Sequence, residues 1–291
     1  MGGGKFEKVL DLMNLEDFRS GFLSFSTQPL SRGGQKVVYS AFHPVYGDVV
    51  VKRIINPDER IDREVSIVRS NEFMHVPHIF DVLSVDWGGQ PALVIVEEMV
   101  RGLSLRDVIE RGERYDLSQV IDFLEQGLRF VETISARGIV HRDIKPENII
   151  RDTESKYHYL DFGIARDLGA DSLTQTGQGP NTPGYAAPEV FLGDKAQIDQ
   201  KSDLFSFGVV AYELASGVNP FRKAGESALA IYMNTLTQSP TDLRIKGDRY
   251  FALRSLITSL MSRDRYKRPN DAKEAIEWLD GVKADLGIGE R

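Results

Sequence analysis

The stretch Gly138-Ile139-Val140-His141-Arg142-Asp143-Ile144-Lys145-Pro146-Glu147-Asn148-Ile149-Ile150 is apolar at both ends and charged in the middle. Ile139 and Val140 predict a short buried strand leading in, and Ile149 and Ile150 a second one leading out. Between them stand the cations Arg142 and Lys145, the carboxylates Asp143 and Glu147, the amide of Asn148 and the rigid Pro146. Buried flanks around a stiff polar turn present reactive side chains from a fixed backbone. Chemistry is expected here, and the neighbouring sequence is what such a loop needs around it.

On the N-terminal side, residues 118–137 carry Val120, Ile121, Leu124, Leu128, Val131 and Ile134 at helical core spacing, closed by Arg137-Gly138. A shorter helix is predicted at 104–111. Before residue 100 the pattern is mostly β: strands at 22–25, 27–30, 36–42 and 49–55, then two more within 79–100. Gly33 and Gly34 sit in the turn at 31–35, where backbone N–H groups could face a phosphate. Asn56-Pro57-Asp58-Glu59 is a helix start with Ile61, Val65 and Val68 on one face and Glu64 in mid-helix. Residues 5–20 predict an amphipathic helix that could pack on its own chain or on a partner.

On the C-terminal side, a strand at 156–160 runs into Asp161-Phe162-Gly163. Residues 164–181 are rich in Gly, Ser, Thr, Gln and Asp and form a loop long enough to be functional. Helices follow at 202–216, 226–237, 251–261 and 271–283. The chain therefore reads as α+β. Residues 1–21 are an N-terminal extension, 22–100 a small β-rich lobe, 101–283 a larger α-rich lobe, and 284–291 a tail.

The net charge of −7 argues against nucleic acid as a partner, since a phosphate-backbone binder needs a basic face. The absence of cysteine removes disulfides, thiolate ligands and a Cys nucleophile, and fits a reducing, cytoplasmic setting. No transmembrane segment is expected: the most apolar run, 205–215, is broken by Ser206, Gly208 and Glu213 and reads as a buried core helix. Met1-Gly2-Gly3-Gly4-Lys5-Phe6 has Phe6 where a myristoylation signal wants Ser or Thr, so it reads as a flexible start.

Taken in order, Val49-Val50-Val51-Lys52, Glu64, His141 to Asn148, Asp161-Phe162-Gly163, Ala187-Pro188-Glu189, Asp203 and Arg268 resemble a eukaryotic-like Ser/Thr protein kinase domain of the kind also found in bacteria. The resemblance spans residues 22–283. It implies a bilobal protein kinase-like fold and transfer of the γ-phosphate of ATP, with Mg²⁺ or Mn²⁺, to Ser/Thr hydroxyls of protein substrates. By the same resemblance Asp143 accepts the substrate proton and Lys145 neutralises the γ-phosphate, Lys145 being the Ser/Thr-type signature. Asn148 and Asp161 hold the metal. Lys52 binds the α- and β-phosphates and pairs with Glu64. Gly33 and Gly34 belong to the phosphate loop, Val38 and Val50 sandwich adenine, and the backbones of Glu98 and Val100 meet the purine edge.

His141 and Phe162 are implied to be packing residues, and Thr182 to bond toward Asp143 and Lys145. Glu189 and Arg268 should form a buried ion pair, and Asp203 should brace the catalytic-loop backbone. Arg142 would face the activation loop, where Ser172, Thr174 and Thr176 are candidates for autophosphorylation, in trans if the chain pairs as a homodimer. Two departures stand out. The family's G-x-G-x-x-G becomes Ser31-Arg32-Gly33-Gly34-Gln35-Lys36, and Glu97 occupies the gatekeeper position at the back of the adenine pocket, where an apolar side chain is usual. They keep two alternatives in view: a pseudokinase scaffold without transfer, and a small-molecule kinase of related fold, which would lack the segment 182–189.

Overall fold

The computed structural model describes residues 12–32, 36–55, 65, 68–69, 73–161, 182–193 and 195–288. The chain forms two compact units, residues 1–100 and 101–291.

The first unit is a sheet of β1 (Met13–Asn14), β2 (Ser24–Phe25), β3 (Ser31–Arg32), β4 (Lys36–His43), β5 (Gly47–Ile54), β6 (Ile79–Asp86) and β7 (Pro91–Glu98), with α1 (Leu15–Ser20) after β1. The strand order is β1-β6-β7-β5-β4-β2, and β3 also pairs with β4. Only β1 runs parallel to its neighbour; the other pairs are antiparallel. Alternation along β4, β5 and β7 sends Val37, Tyr39, Ala41, Val49, Val51, Val94 and Val96 to one face, where they form a core with Val85 and Phe18. Aromatic rings surround that core. Phe18 lies edge-on to Phe22 at 5.1 Å, and Tyr39 stacks on Trp87 at 5.4 Å. Arg19 and Arg53 lie over the Trp87 ring.

The predicted helix at 5–20 is shorter than expected within the described residues. Met13 and Asn14 extend the sheet, and the Asn14 side chain then caps α1 by accepting from the Asp17 N–H. Phe18, only 3% exposed, sits in the unit's own core, so the apolar face of α1 covers its own chain. No strand forms at 27–30; the Leu30 N–H donates to the Val38 carbonyl at 2.7 Å, and β3 begins at Ser31. Val65 and Val68 are helical and buried. Residues 5–11, Gly33, Gly34 and the segment 56–64, with the expected helix start and Glu64, lie outside the described residues.

The second unit contains β8 (Leu103–Ser104), α2 (Leu105–Glu110), α3 (Leu117–Ser135), β9 (Ile149–Arg151), β10 (Tyr157–Tyr159), α4 (Pro188–Phe191), α5 (Gln200–Ser216), α6 (Ala228–Thr237), α7 (Ala252–Leu260) and α8 (Ala272–Asp285). β8, β9 and β10 make a small antiparallel sheet. α3 begins with a reciprocal capping box between Asp116 and Gln119, and its apolar stripe packs on α5 and α8. α5 is buried from Lys201 to Leu214, which explains an apolar run without a polar stripe. Among the described residues no helix is long and apolar enough to cross a membrane.

In the second unit the strand expected at 139–140 is absent. Ile139 and Val140 are irregular and half-buried, because Gly138 turns the chain at φ +70° and the Ile139 N–H returns to the Ile134 carbonyl. That bond spends the donor a strand partner would need.

α3 and α5 meet at Gly127, where the Phe207 ring lies against the glycine. A Cβ there would stand 2.4 Å from Cε1 and 2.7 Å from Cδ1 of Phe207. The Phe207 ring is fully buried, with Phe123 and Tyr159 as ring neighbours, so it has nowhere to move. Gly127→Ala gains about 1 kcal/mol of helix propensity. Overpacking at this distance costs roughly 2–3 kcal/mol. We expect a net loss of about 1–2 kcal/mol, seen as a lower melting temperature; an unchanged or raised midpoint would contradict this packing.

Candidate active site

The loop from His141 to Asn148 has little regular structure, so its shape rests on side chains. Asp203, in the first turn of α5 and fully buried, does most of this. Its Oδ2 accepts the His141 backbone N–H at 2.8 Å and its Oδ1 accepts that of Arg142 at 2.8 Å. Burial pushes its carboxyl up to about 6, against the pull of those two N–H groups and of the Arg142 charge. It is therefore ionised at neutral pH and holds the loop as an anion. The bracing carries Arg142 through a left-handed backbone conformation at φ +67°. A non-glycine residue there stores on the order of 1–3 kcal/mol, which the two charge-assisted bonds offset.

The His141 ring is completely buried, edge-on to Phe130 at 6.0 Å. Burial drives its pKa down to about 4, although Asp143 and Asp161 pull the other way. The ring is neutral at pH 7, and Nδ1 accepts the Asp143 N–H at 3.3 Å. It thus ties the loop to the core.

Past this brace three polar side chains converge on Asp143. Lys145 Nζ donates to Asp143 Oδ2 at 2.8 Å and to Thr182 Oγ1 at 2.8 Å. Thr182 Oγ1 donates in turn to Asp143 Oδ1 at 3.4 Å. Asn148 Nδ2 donates to Asp143 Oδ2 at 2.8 Å and to the Asp143 carbonyl at 3.0 Å. Pro146 starts a single 3-10 turn that brings Asn148 back over Asp143, the physical reason for a proline at that point. The Leu160 N–H donates to the Asn148 carbonyl at 2.8 Å, which ties the residue before Asp161 to the loop. Asp161 has φ +55°, a second left-handed residue beside the same loop.

Asn148 Nδ2 is committed to Asp143, so the amide oxygen is the atom it would offer a cation. A carboxylate from Asp161 and an amide oxygen from Asn148 suit a hard divalent ion that takes its other ligands from phosphate and water. Among the described residues no group of three or more His, Cys, Asp or Glu side chains could hold a metal ion.

In the first unit, register places Val38, Val50, Lys52, Ile95 and Glu97 on one face of the sheet, opposite the aromatic core. Lys52 Nζ lies 2.6 Å from Glu97 Oε1, with both side chains buried. The Glu98 N–H donates to the His78 carbonyl at 2.8 Å, and Val100 follows the end of β7. Glu64, Gly33, Gly34, Phe162, Ser172, Thr174 and Thr176 lie outside the described residues.

The remaining brace is Arg268, whose Nη1 and Nη2 donate to Glu189 Oε1 and Oε2 at 2.7 and 3.0 Å. Arg268 also reaches the carbonyls of Ser262 and Lys201. This fork holds the short helix α4, and with it the segment that carries Thr182, against the base of α5.

A family model described as "Protein kinase domain" matches residues 26–278. The chain belongs to the protein kinase family. This kinase domain is 33% identical over 224 residues to serine/threonine-protein kinase PknA of Mycobacterium tuberculosis, covering 74% of the chain and 51% of the relative. It is 30% identical over 263 residues to the serine/threonine-protein kinase drp72 of Corynebacterium efficiens, covering 87% and 49%. It is 32% identical over 282 residues to serine/threonine-protein kinase pkn2 of Myxococcus xanthus, covering 89% and 32%. The chain spans about half, or less, of the length of these relatives.

One network in this kinase domain escaped sequence reasoning. Arg106 on α2 donates from Nε to Glu147 at 2.9 Å, from Nη1 to Glu213 at 3.1 Å and from Nη2 to the Tyr185 hydroxyl. Tyr185 in turn donates to Glu213. It joins α2, the catalytic loop, the segment before α4, and α5 through one guanidinium. The only signal was Glu213, a carboxylate inside an apolar run that needs a buried partner.

Proposed function

We propose that the chain is a Ser/Thr protein kinase that transfers the γ-phosphate of ATP to Ser or Thr hydroxyls of protein substrates. The observation that carries this reading is the convergence of Lys145, Thr182 and Asn148 on Asp143. Phosphoryl transfer asks little covalent work of the protein; it needs positioning, charge neutralisation and a proton acceptor. Asp143 lies within hydrogen-bond reach of a hydroxyl, Thr182, and accepts such a bond in this structure. An incoming substrate hydroxyl would meet the same carboxylate, which accepts its proton. Lys145 supplies a cation next to that carboxylate, against the charge on the transferring group. Asn148 and Asp161 would hold Mg²⁺, with Mn²⁺ as a substitute; the ion screens the phosphate oxygens when bound. In the first unit Lys52 serves the α- and β-phosphates, Val38 and Val50 the adenine ring, and the Glu98 and Val100 backbones its edge. Glu64, Gly33 and Gly34 complete this assignment.

The reading is tested by transfer from Mg²⁺-ATP to a generic protein substrate, comparing wild type with Asp143→Asn and Asp161→Asn. Transfer that is lost in both variants supports it. Wild-type protein that binds nucleotide without transferring would favour a scaffold.

The rest of the proposal concerns setting and control. The kinase domain runs over 22–283, between an extension at 1–21 and a tail at 284–291, and works in the cytoplasm on proteins and not on nucleic acid. A homodimer contact brings a second copy close enough for trans-autophosphorylation. Arg142, exposed beside Asp143, would receive a phosphate on Thr174 or Thr176, with Ser172 as the third candidate. Mass spectrometry of active protein is expected to find phosphate on that loop; an unmodified loop at full activity would sink the idea.

A further inference from the structure

We infer that Glu97 is a positioning residue for Lys52, setting the phosphate-binding lysine from within the sheet. The inference rests on the kinase reading above and deepens it at one residue.

Lys52 and Glu97 stand on adjacent antiparallel strands. Val50 faces Glu97 and Lys52 faces Ile95, so Lys52 and Glu97 are diagonal neighbours on one face. Val38 and Val50, assigned to the adenine ring, share that face. Both charged side chains are buried, at 7% and 9% exposure, and the ammonium nitrogen lies 2.6 Å from the carboxylate oxygen. A charge this far from water is strongly penalised unless an opposite charge stands beside it. The carboxylate therefore does two things for the lysine. It sets an opposite charge beside the buried ammonium, offsetting the cost of burial, and it fixes the ammonium through two strands joined by a continuous ladder. An ammonium has three donors, so a carboxylate on one side does not exclude phosphate oxygens on the others.

This gives the unusual acidic residue at position 97 a purpose. An apolar side chain there packs but cannot orient a cation. The glutamate accepts a burial cost in exchange for a lysine whose place is set by sheet geometry.

The experiment measures KM for ATP, KM for the protein substrate and kcat, together with the Kd of a fluorescent non-hydrolysable ATP analogue with Mg²⁺. Wild type is compared with Glu97→Gln, Glu97→Asp and Glu97→Met. Glu97→Gln and Glu97→Met are expected to raise KM for ATP and the analogue Kd about tenfold or more, leaving KM for the protein substrate unchanged. Glu97→Asp, which keeps the charge on a shorter stem, should recover part of the loss. Melting temperatures show which variants fold, and the Met variant, apolar and of similar length, keeps the test open if Gln misfolds. Wild-type KM and Kd in the Gln and Met variants would overturn the inference, as would an equal shift of both KM values, which marks a merely structural role. Should wild type bind the analogue without transferring phosphate, the transfer reading fails alone, and the ratio of Kd values still decides Glu97. A wild type that binds no Mg²⁺-nucleotide overturns both.

Discussion

Asp143→Asn is expected to lower the transfer rate by about 10²–10⁴-fold while the protein stays folded and still binds nucleotide. The range is that of a lost general base, roughly 3–5 kcal/mol in the barrier. The substitution keeps the size of the side chain, so Asn148 and Thr182 retain one acceptor oxygen between them. It removes the negative charge that Lys145 meets at 2.8 Å and replaces an acceptor with an amide donor. The loss should therefore fall on kcat, with KM for ATP nearly unchanged. Asp161→Asn provides the contrast: on the proposed assignment it would act through the metal, so its defect should shrink as the Mg²⁺ concentration rises. Single-turnover transfer, read over a Mg²⁺ series, separates the two. Transfer by Asp143→Asn at the wild-type rate would show that Asp143 is not the proton acceptor.

The largest stability effect should come from the Glu189–Arg268 pair. Arg268 is 2% exposed and Glu189 5% exposed, and the guanidinium meets both carboxylate oxygens. Arg268→Ala leaves the carboxylate buried with only Ser202 as a remaining donor at 2.8 Å among the described side-chain bonds. Removing one partner of a buried pair costs about 3–5 kcal/mol. For a unit of this size that is a fall in melting temperature of roughly 6–20 °C. Arg268→Lys keeps the charge but not the fork, and should fall between. The pair also has a pH signature. Burial tends to raise the Glu189 carboxyl, but the hydrogen bonds and charge of Arg268 outweigh it, so the group sits below its ordinary value of 4.5. A depressed carboxylate contributes stability that is complete above that ordinary value and is lost as pH falls through the lower, folded one. Wild type should therefore lose stability on acidification below about 4.5 more steeply than Glu189→Gln does. Parallel curves for the two proteins would remove Glu189 from the acid sensitivity.

Much of the site was legible because its chemistry needs particular atoms at close spacing. Asp143, Lys145 and Asn148 lie within six consecutive residues, and one proline turn brings them together, so local sequence carries most of their geometry. Thr182, Glu189, Asp203 and Arg268 were legible only through family resemblance, since they are distant in the chain. Arg106 and Glu213 were missed for the same distance without a motif to recover them: they are 107 positions apart and meet only when α2 packs against α5. The strand expected at Ile139–Val140 failed because apolar residues after a helix read alike whether or not a partner strand exists.

The sequence by itself determined the order of most elements, the α+β class and the candidate catalytic loop, because hydrophobic period and motif spacing are local properties. Partners belonged to the tertiary structure. Whether α1 covers its own sheet, which carbonyls and carboxylates hold the left-handed Arg142, and that buried Lys52 meets Glu97 across two strands all depend on register and packing between distant segments. Those are decided by which buried charges and donors can find each other once the core closes.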